Sequence, residues 1–328
     1  MSEHVSGKGR QAEAGARIVD RDVEFPPPTL DDFTVIQVMS DFAGITSSMA
    51  VRHGSDGFRK RVLLKSANEP EDVSSEVNQR LVEEARVGMR VSHPNLVQVL
   101  DLGKDDGRFF LLRSWVVGLG LRGLLAWSWR SHRPLPPAAT LRVGVSVARA
   151  LDYLHTLRSS PWAARGISHR VVTPANILIS AAGEVRLANL SRANLNPRFD
   201  SEGRTVHNGY PAFAAPEILE GARATHAADV FGLGAVLYEA LGGEDSLMGA
   251  PESDWTRTRP RLELAGQVSR SDLPVRLRKL LAAALARNPG DRPSAREMKG
   301  ELRSWMFDEL DSDGEDALRQ AAQEAPTI

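Results

Sequence analysis

The chain has 328 residues, enough for one two-lobed domain or two small ones. Its 41 Lys and Arg nearly balance 42 Asp and Glu, so no overall field would draw nucleic acid or an anionic membrane. Cysteine is absent, which excludes disulfides, thiolate metal sites and thiol nucleophiles and fits a reducing cytoplasm.

Residues 1–15 lack the apolar core of a signal peptide. The longest apolar runs, 230–241 and 280–286, are interrupted by Gly or Arg and too short to span a bilayer. The sequence therefore predicts a soluble, cytoplasmic chain. Residues 1–29 are polar, Gly- and Ala-rich and end in Pro26-Pro27-Pro28, which predicts a flexible lead-in. A strand is predicted over 33–38, followed by a turn at 39–45 that holds one glycine, Gly44, and an acid, Asp41. Arg61-Val62-Leu63-Leu64-Lys65 reads as a second strand. An amphipathic helix over 76–91 carries Glu84, 19 residues beyond Lys65, and must stop before Pro94. Residues 109–115 read as a strand bearing Arg113, a charge that requires a carboxylate or water once buried. Leu141, Val145, Ala148, Leu151 and Leu154 mark one face of a helix over 138–158.

Next comes His169-Arg170-Val171-Val172-Thr173-Pro174-Ala175-Asn176-Ile177-Leu178, with Val185-Arg186-Leu187-Ala188-Asn189-Leu190-Ser191 placing Asn189 13 residues past Asn176. Gly209-Tyr210-Pro211-Ala212-Phe213-Ala214-Ala215-Pro216-Glu217 follows, then Asp229-Val230-Phe231-Gly232-Leu233-Gly234 and Asn288-Pro289-Gly290-Asp291-Arg292-Pro293-Ser294. In this order and spacing, over roughly residues 31–305, the set resembles the protein kinase family and, through Thr173-Pro174 and Asn176-Ile177-Leu178, its bacterial Ser/Thr branch. The resemblance implies an α+β, two-lobed fold: a small β-rich lobe with one helix over 30–115 and a larger helical lobe over 116–306. Lys65 and Glu84 would form the ion pair that holds nucleotide phosphates, and Asn176 would face a metal. His169, Glu217, Asp229 and Arg292 would hold the frame, with Arg292 pairing Glu217 and Asp229 bracing the loop backbone.

The departures fall on the chemistry. The family's proton-accepting Asp is Val171, its loop Lys is Thr173, and its metal-binding Asp is Asn189. The phosphate-loop glycines are reduced to Gly44, and the family's usual threonine is Tyr210. Leu63 stands where the family has an alanine above the adenine ring and is larger by an isopropyl group. Arg113 occupies a position that is mostly apolar in the family, and pairing with Glu84 would make it compete with Lys65. Leu63 and Arg113 would thus obstruct a vestigial nucleotide site, with Val171 packed in the floor of a closed cleft.

The expected protein is a pseudokinase without a catalytic residue, metal or cofactor. It would serve as a scaffold or allosteric regulator for a protein partner, with an active kinase as the candidate. The alternative is a weakly active Ser/Thr kinase using ATP and magnesium at an unorthodox metal site. The Arg-rich stretch 192–208 stands in place of an activation loop, with Ser201 and Thr205 as phosphate acceptors and Arg170 as receptor. Beyond Trp305 the chain turns acidic. The spacing Glu309-x-Asp311-x-Asp313-Gly314 resembles a calcium loop, yet its first position is Glu and its twelfth is Gln320 rather than a bidentate Glu. A solvated tail over 307–328, helical or disordered, is therefore expected.

Overall fold

A computed structural model describes residues 28–42, 44–54, 57–68, 76–158, 166–190, 211–242, 273–310 and 312–325. Five antiparallel strands form the first sheet: β1 (Phe33–Phe42), β2 (Ile45–His53), β3 (Arg59–Ala67), β4 (Val99–Asp105) and β5 (Arg108–Ser114), in the order β1-β2-β3-β5-β4. In β3 the side chains alternate. Val62 and Leu64 enter a core with Ala50, Phe110 and Leu112, so Leu63 and Lys65 face the other way. The helix α1 (Glu76–Gly88) lies across the sheet and buries Leu81 and Ala85, four residues apart, against Val99 and Leu111.

The first strand runs four residues past its predicted end, and Phe42 pairs with Ile45. The pairing of Phe42 with Ile45 therefore closes a tight hairpin end rather than an open phosphate loop. Gly44, at φ +78°, makes the turn, and a side chain there would strike Val77 of α1 at 2.8 Å. Asn68 fastens the end down: its Nδ2 donates to Asp41 Oδ1 at 2.9 Å, its Oδ1 accepts from Thr46 Oγ1 at 2.7 Å, and its N–H donates to the Gly44 carbonyl at 3.0 Å.

The second lobe is helical: α2 (Leu121–Ser131), α3 (Pro137–Thr156), α4 (Pro216–Leu219), α5 (His226–Ala240), α6 (Val275–Ala284), α7 (Ala295–Leu310) and α8 (Glu315–Glu324). A small sheet of β6 (Gly118–Gly120), β7 (Ile177–Ser180) and β8 (Val185–Leu187) sits against it, in the order β6-β7-β8. The central helices α3 and α5 are apolar almost all round, and Leu141, Leu151, Leu154, Leu233 and Leu237 are fully enclosed in one core.

The acidic tail differs from expectation. Helix α7 continues to Leu310, and α8 buries Leu318, Ala321 and Ala322 in the core of the lobe, leaving its acids on the outer face. Arg142 pairs with Glu315 at 2.8 Å, and Gly314, at φ +71°, brings the chain so close that a side chain would meet the Ala138 carbonyl at 2.2 Å. Net acidity concealed an amphipathic helix, because three small or apolar residues at helical spacing suffice to dock it. Among the described residues no helix is long and apolar enough to cross a membrane.

Candidate functional site

Three elements bring charge into the cleft between the lobes. Lys65 arrives from β3, Glu84 from the inner face of α1, and Arg113 from β5, where it lies opposite Leu63. Lys65 Nζ meets Glu84 Oε2 at 2.6 Å, and Arg113 Nη1 meets Glu84 Oε1 at 2.8 Å. The competition expected between the two cations does not occur: each takes its own carboxylate oxygen, and the Lys65–Glu84 pair survives beside Arg113. Burial pushes the Glu84 carboxyl up, but Lys65 and Arg113 outweigh it and hold its pKa below the usual range. Lys65 is lowered to about 8, first by burial and then by the neighbouring Arg113 charge, with Glu84 opposing both. Two buried cations thus share one carboxylate.

The loop positions meet at the same place. Lys65 Nζ donates to Asn189 Oδ1 at 3.3 Å, Asn189 Nδ2 donates to Asn176 Oδ1 at 3.3 Å, and Asn176 Nδ2 donates to the Val171 carbonyl at 2.8 Å. Asn189 has φ +74°, a left-handed conformation that Asn adopts more readily than most residues. A cavity of about 270 Å³ opens here, lined among others by Ser47, Lys65, Glu84, Arg113, Asn176 and Asn189. Leu63 and Val171 do not line it. Val171 is half-buried, and it is the next residue, Val172, that enters the core. The expected valine floor of the cleft is thus not formed: Val172 packs in the core of the lobe instead.

A magnesium ion requires carboxylate oxygens in near-octahedral array. The loops offer two neutral amide oxygens, each already accepting a hydrogen bond, and the cavity's Glu84 is committed to two cations. Among the described residues no group of three His, Asp or Glu could hold a metal ion. These donors do not fit magnesium.

Below the cleft the frame is fully connected. Asp229 accepts from the backbone N–H of His169 at 2.8 Å and of Arg170 at 2.5 Å, and its Oδ2 lies 2.7 Å from His155 Nε2. Burial pushes the Asp229 carboxyl up, yet His155, His169 and the Arg170 N–H together hold it down. His169 is fully buried with Nε2 3.0 Å from the Ala188 carbonyl, and burial lowers its pKa. It is a packing and bracing residue. Arg292 grips Glu217 with two parallel bonds of 2.7 Å and also donates to the carbonyls of Ala286, Ala227 and Arg287. Thr173 is buried at the start of a short 3₁₀ turn.

His155 is a functional-frame residue that motif reasoning passed over. Its available signal was position, since it continues the buried face of α3 four residues past Leu151. Ser191, Ser201, Thr205 and Tyr210 lie outside the described residues, as does the whole 192–208 stretch.

The protein kinase domain model matches residues 46–302, leaving β1 and α8 outside the match. The chain is 28% identical over 273 residues to the tyrosine-protein kinase MasK of Myxococcus xanthus, covering 80% of this chain and 41% of that protein. It is 33% identical over 236 residues to the serine/threonine-protein kinase PknK of Mycobacterium tuberculosis, covering 70% of this chain and 20% of that one. With PkaA of Streptomyces coelicolor, a serine/threonine-protein kinase, identity is 30% over 265 residues, 80% of this chain and 45% of the relative. The chain thus spans less than half the length of these relatives. The matched model, the two-lobed architecture and the Lys65–Glu84 and Arg292–Glu217 pairs agree: this chain belongs to the protein kinase family.

Proposed function

We propose that this chain is a pseudokinase, a non-catalytic member of its family that acts by binding a protein partner. The observation that carries this reading is the amide ladder from Lys65 through Asn189 to Asn176, which stands where phosphoryl transfer needs a carboxylate-bound metal. Val171 in the proton-acceptor position adds to it, since losing a general base alone costs about 10²–10⁴-fold in rate. Arg113, whose side chain lines the cavity, adds a cation where the family is mostly apolar, whereas Leu63 does not line it and carries no part of this reading. No cofactor is needed in this role. The partner is a protein in the cytoplasm, with an active kinase as the candidate, and neither nucleic acid nor membrane.

One observation favours a second reading, a weakly active Ser/Thr kinase: the Lys65–Glu84 pair is intact at 2.6 Å. Thermal unfolding with and without ATP and Mg²⁺ separates the two. A ligand at one hundred times its Kd adds about 2.7 kcal/mol of stability, so the pseudokinase reading expects no metal-dependent rise in Tm. Phosphate transfer that Lys65→Ala abolishes would overturn it.

A further inference from the structure

The outer edge of the first sheet is blunted only by irregular register. Among the described residues β1 is the outermost strand of its sheet and no other strand pairs with its outer side; natural proteins usually blunt such an edge with Lys, Pro, β-bulges or a cover. This strand has neither Lys nor Pro. Its one charge, Asp41, is held by Asn68 at the hairpin end. Instead it carries Val35, Ile36, Val38 and Met39 at 51%, 55%, 57% and 45% exposure, four of the ten exposed large apolar side chains among the described residues. Two register shifts leave Ile36 and Met39 without a partner on β2.

Behind one end of this edge, on β2 and β3, the sheet is strongly basic. Arg52 lies directly opposite Lys60, and His53 opposite Arg59, with Arg61 next in line. Like charges opposed across strands destabilise a sheet. Among the described residues none of Arg52, Arg59, Lys60 and Arg61 forms an ion pair, and His53 is bonded to Thr34 Oγ1 at 2.7 Å. The register puts these cations at the Phe33 end of the strand, since Phe33 pairs with Arg52. Phe58, 64% exposed, stands just before Arg59.

We propose that the β1 edge is a receptor for an extended segment of a partner protein, apolar at alternate positions and acidic at the end that reaches the Arg52–Lys60 cluster. An open strand edge is satisfied by another polypeptide backbone, which nucleic acid does not supply, and the apolar side chains of β1 select alternating apolar residues. The uncompensated cations select acids. Antiparallel pairing with β1 of a second copy would bring each basic end only Asp41, which Asn68 already holds, so a segment with free acids is favoured over self-association. This inference rests on the protein-binding reading and names the chemistry of its partner, but of β1 only Ser40 lines the cleft cavity and the residues tested do not, so failure of either leaves the other testable.

The test is selection of a displayed random 12-residue peptide library on the full chain, followed by fluorescence anisotropy and hydrogen exchange with the enriched peptides. Enriched peptides should alternate apolar residues and carry Asp or Glu at one end. Binding should weaken at least tenfold in Ile36→Lys/Val38→Lys and in Arg59→Glu/Lys60→Glu, and the second variant should also lose most of the salt dependence. All four side chains are exposed, so both variants should keep the wild-type Tm. Bound peptide should slow exchange of β1 amides. Enriched peptides without acids, or binding that survives both variants or protects residues other than β1, would overturn the proposal. So would a library that yields no binder. Dimerisation of the free chain abolished by Ile36→Lys/Val38→Lys would assign the edge to a second copy instead, and retention of an oligonucleotide through the same cations would assign them to nucleic acid.

Discussion

The cleft and the frame beneath it both bury charge, and they treat it in opposite ways. In the frame every buried charge is saturated: Asp229 has two backbone N–H donors and His155, and Arg292 has a bidentate carboxylate and three carbonyls. In the cleft, Lys65 and Arg113 share Glu84, while Asn189 and Asn176 supply only neutral amides. A saturated network fixes one backbone arrangement, and removing any member exposes the rest to an unpaid desolvation cost. An unbalanced one tolerates change. The contrast explains how residue types can change in the cleft while the architecture remains.

The comparison is broken most forcefully at Asp229. Asp229→Ala strands two buried N–H groups and His155, and should cost about 3–5 kcal/mol in denaturant unfolding. Arg292→Ala should cost a similar or slightly smaller amount, because Glu217 keeps some solvent to relax into. A loss below about 1 kcal/mol in either variant would remove the distinction between frame and cleft.

Titration of Lys65 sharpens the cleft side. Its folded pKa, about 8, lies below its unfolded value of 10.5, so the folded state releases its proton first and the unfolded state binds more protons in between. Stability contributed by this group therefore rises as pH climbs from about 8 to about 10.5, by about 3 kcal/mol at most. Subtracting the pH profile of Lys65→Met from that of the wild type isolates the contribution. A flat difference over that window would contradict an uncompensated cation.

Removing the second cation should relieve the imbalance. In Arg113→Leu, Glu84 keeps Lys65, and the loss of the neighbouring charge should raise the Lys65 pKa above about 8 by NMR titration, at a stability change of about 1 kcal/mol or less. A fall in the Lys65 pKa would show that Arg113 does not act through its charge. The smallest effect belongs to Asn189→Asp, which sets a carboxylate near Lys65 Nζ. It should raise the same pKa and change stability by less than about 1 kcal/mol.

Much of this was legible from spacing alone. The 19 residues between Lys65 and Glu84, and the Glu217, Asp229 and Arg292 motifs, located ion pairs that the fold then closes. Such motifs are readable because each fixes one backbone geometry with one side-chain type. What was misread depended on neighbours distant in sequence. Arg113 pairs with Glu84 as expected, but that Lys65 keeps its own bond depends on β3 and β5 delivering the cations to different oxygens of Glu84. His155 emerged only when α3 and α5 brought it against Asp229.

The sequence by itself determined the family, the two lobes and the presence of Val171 and Asn189 at the positions of two family acids, since these are matters of residue type at fixed spacing. Tertiary structure alone decided that the first hairpin closes onto α1, that the acidic tail docks as α8, and that an apolar strand edge meets an unpaired basic end. Each depends on which faces become neighbours, and a linear pattern holds no record of its neighbours until the chain has folded.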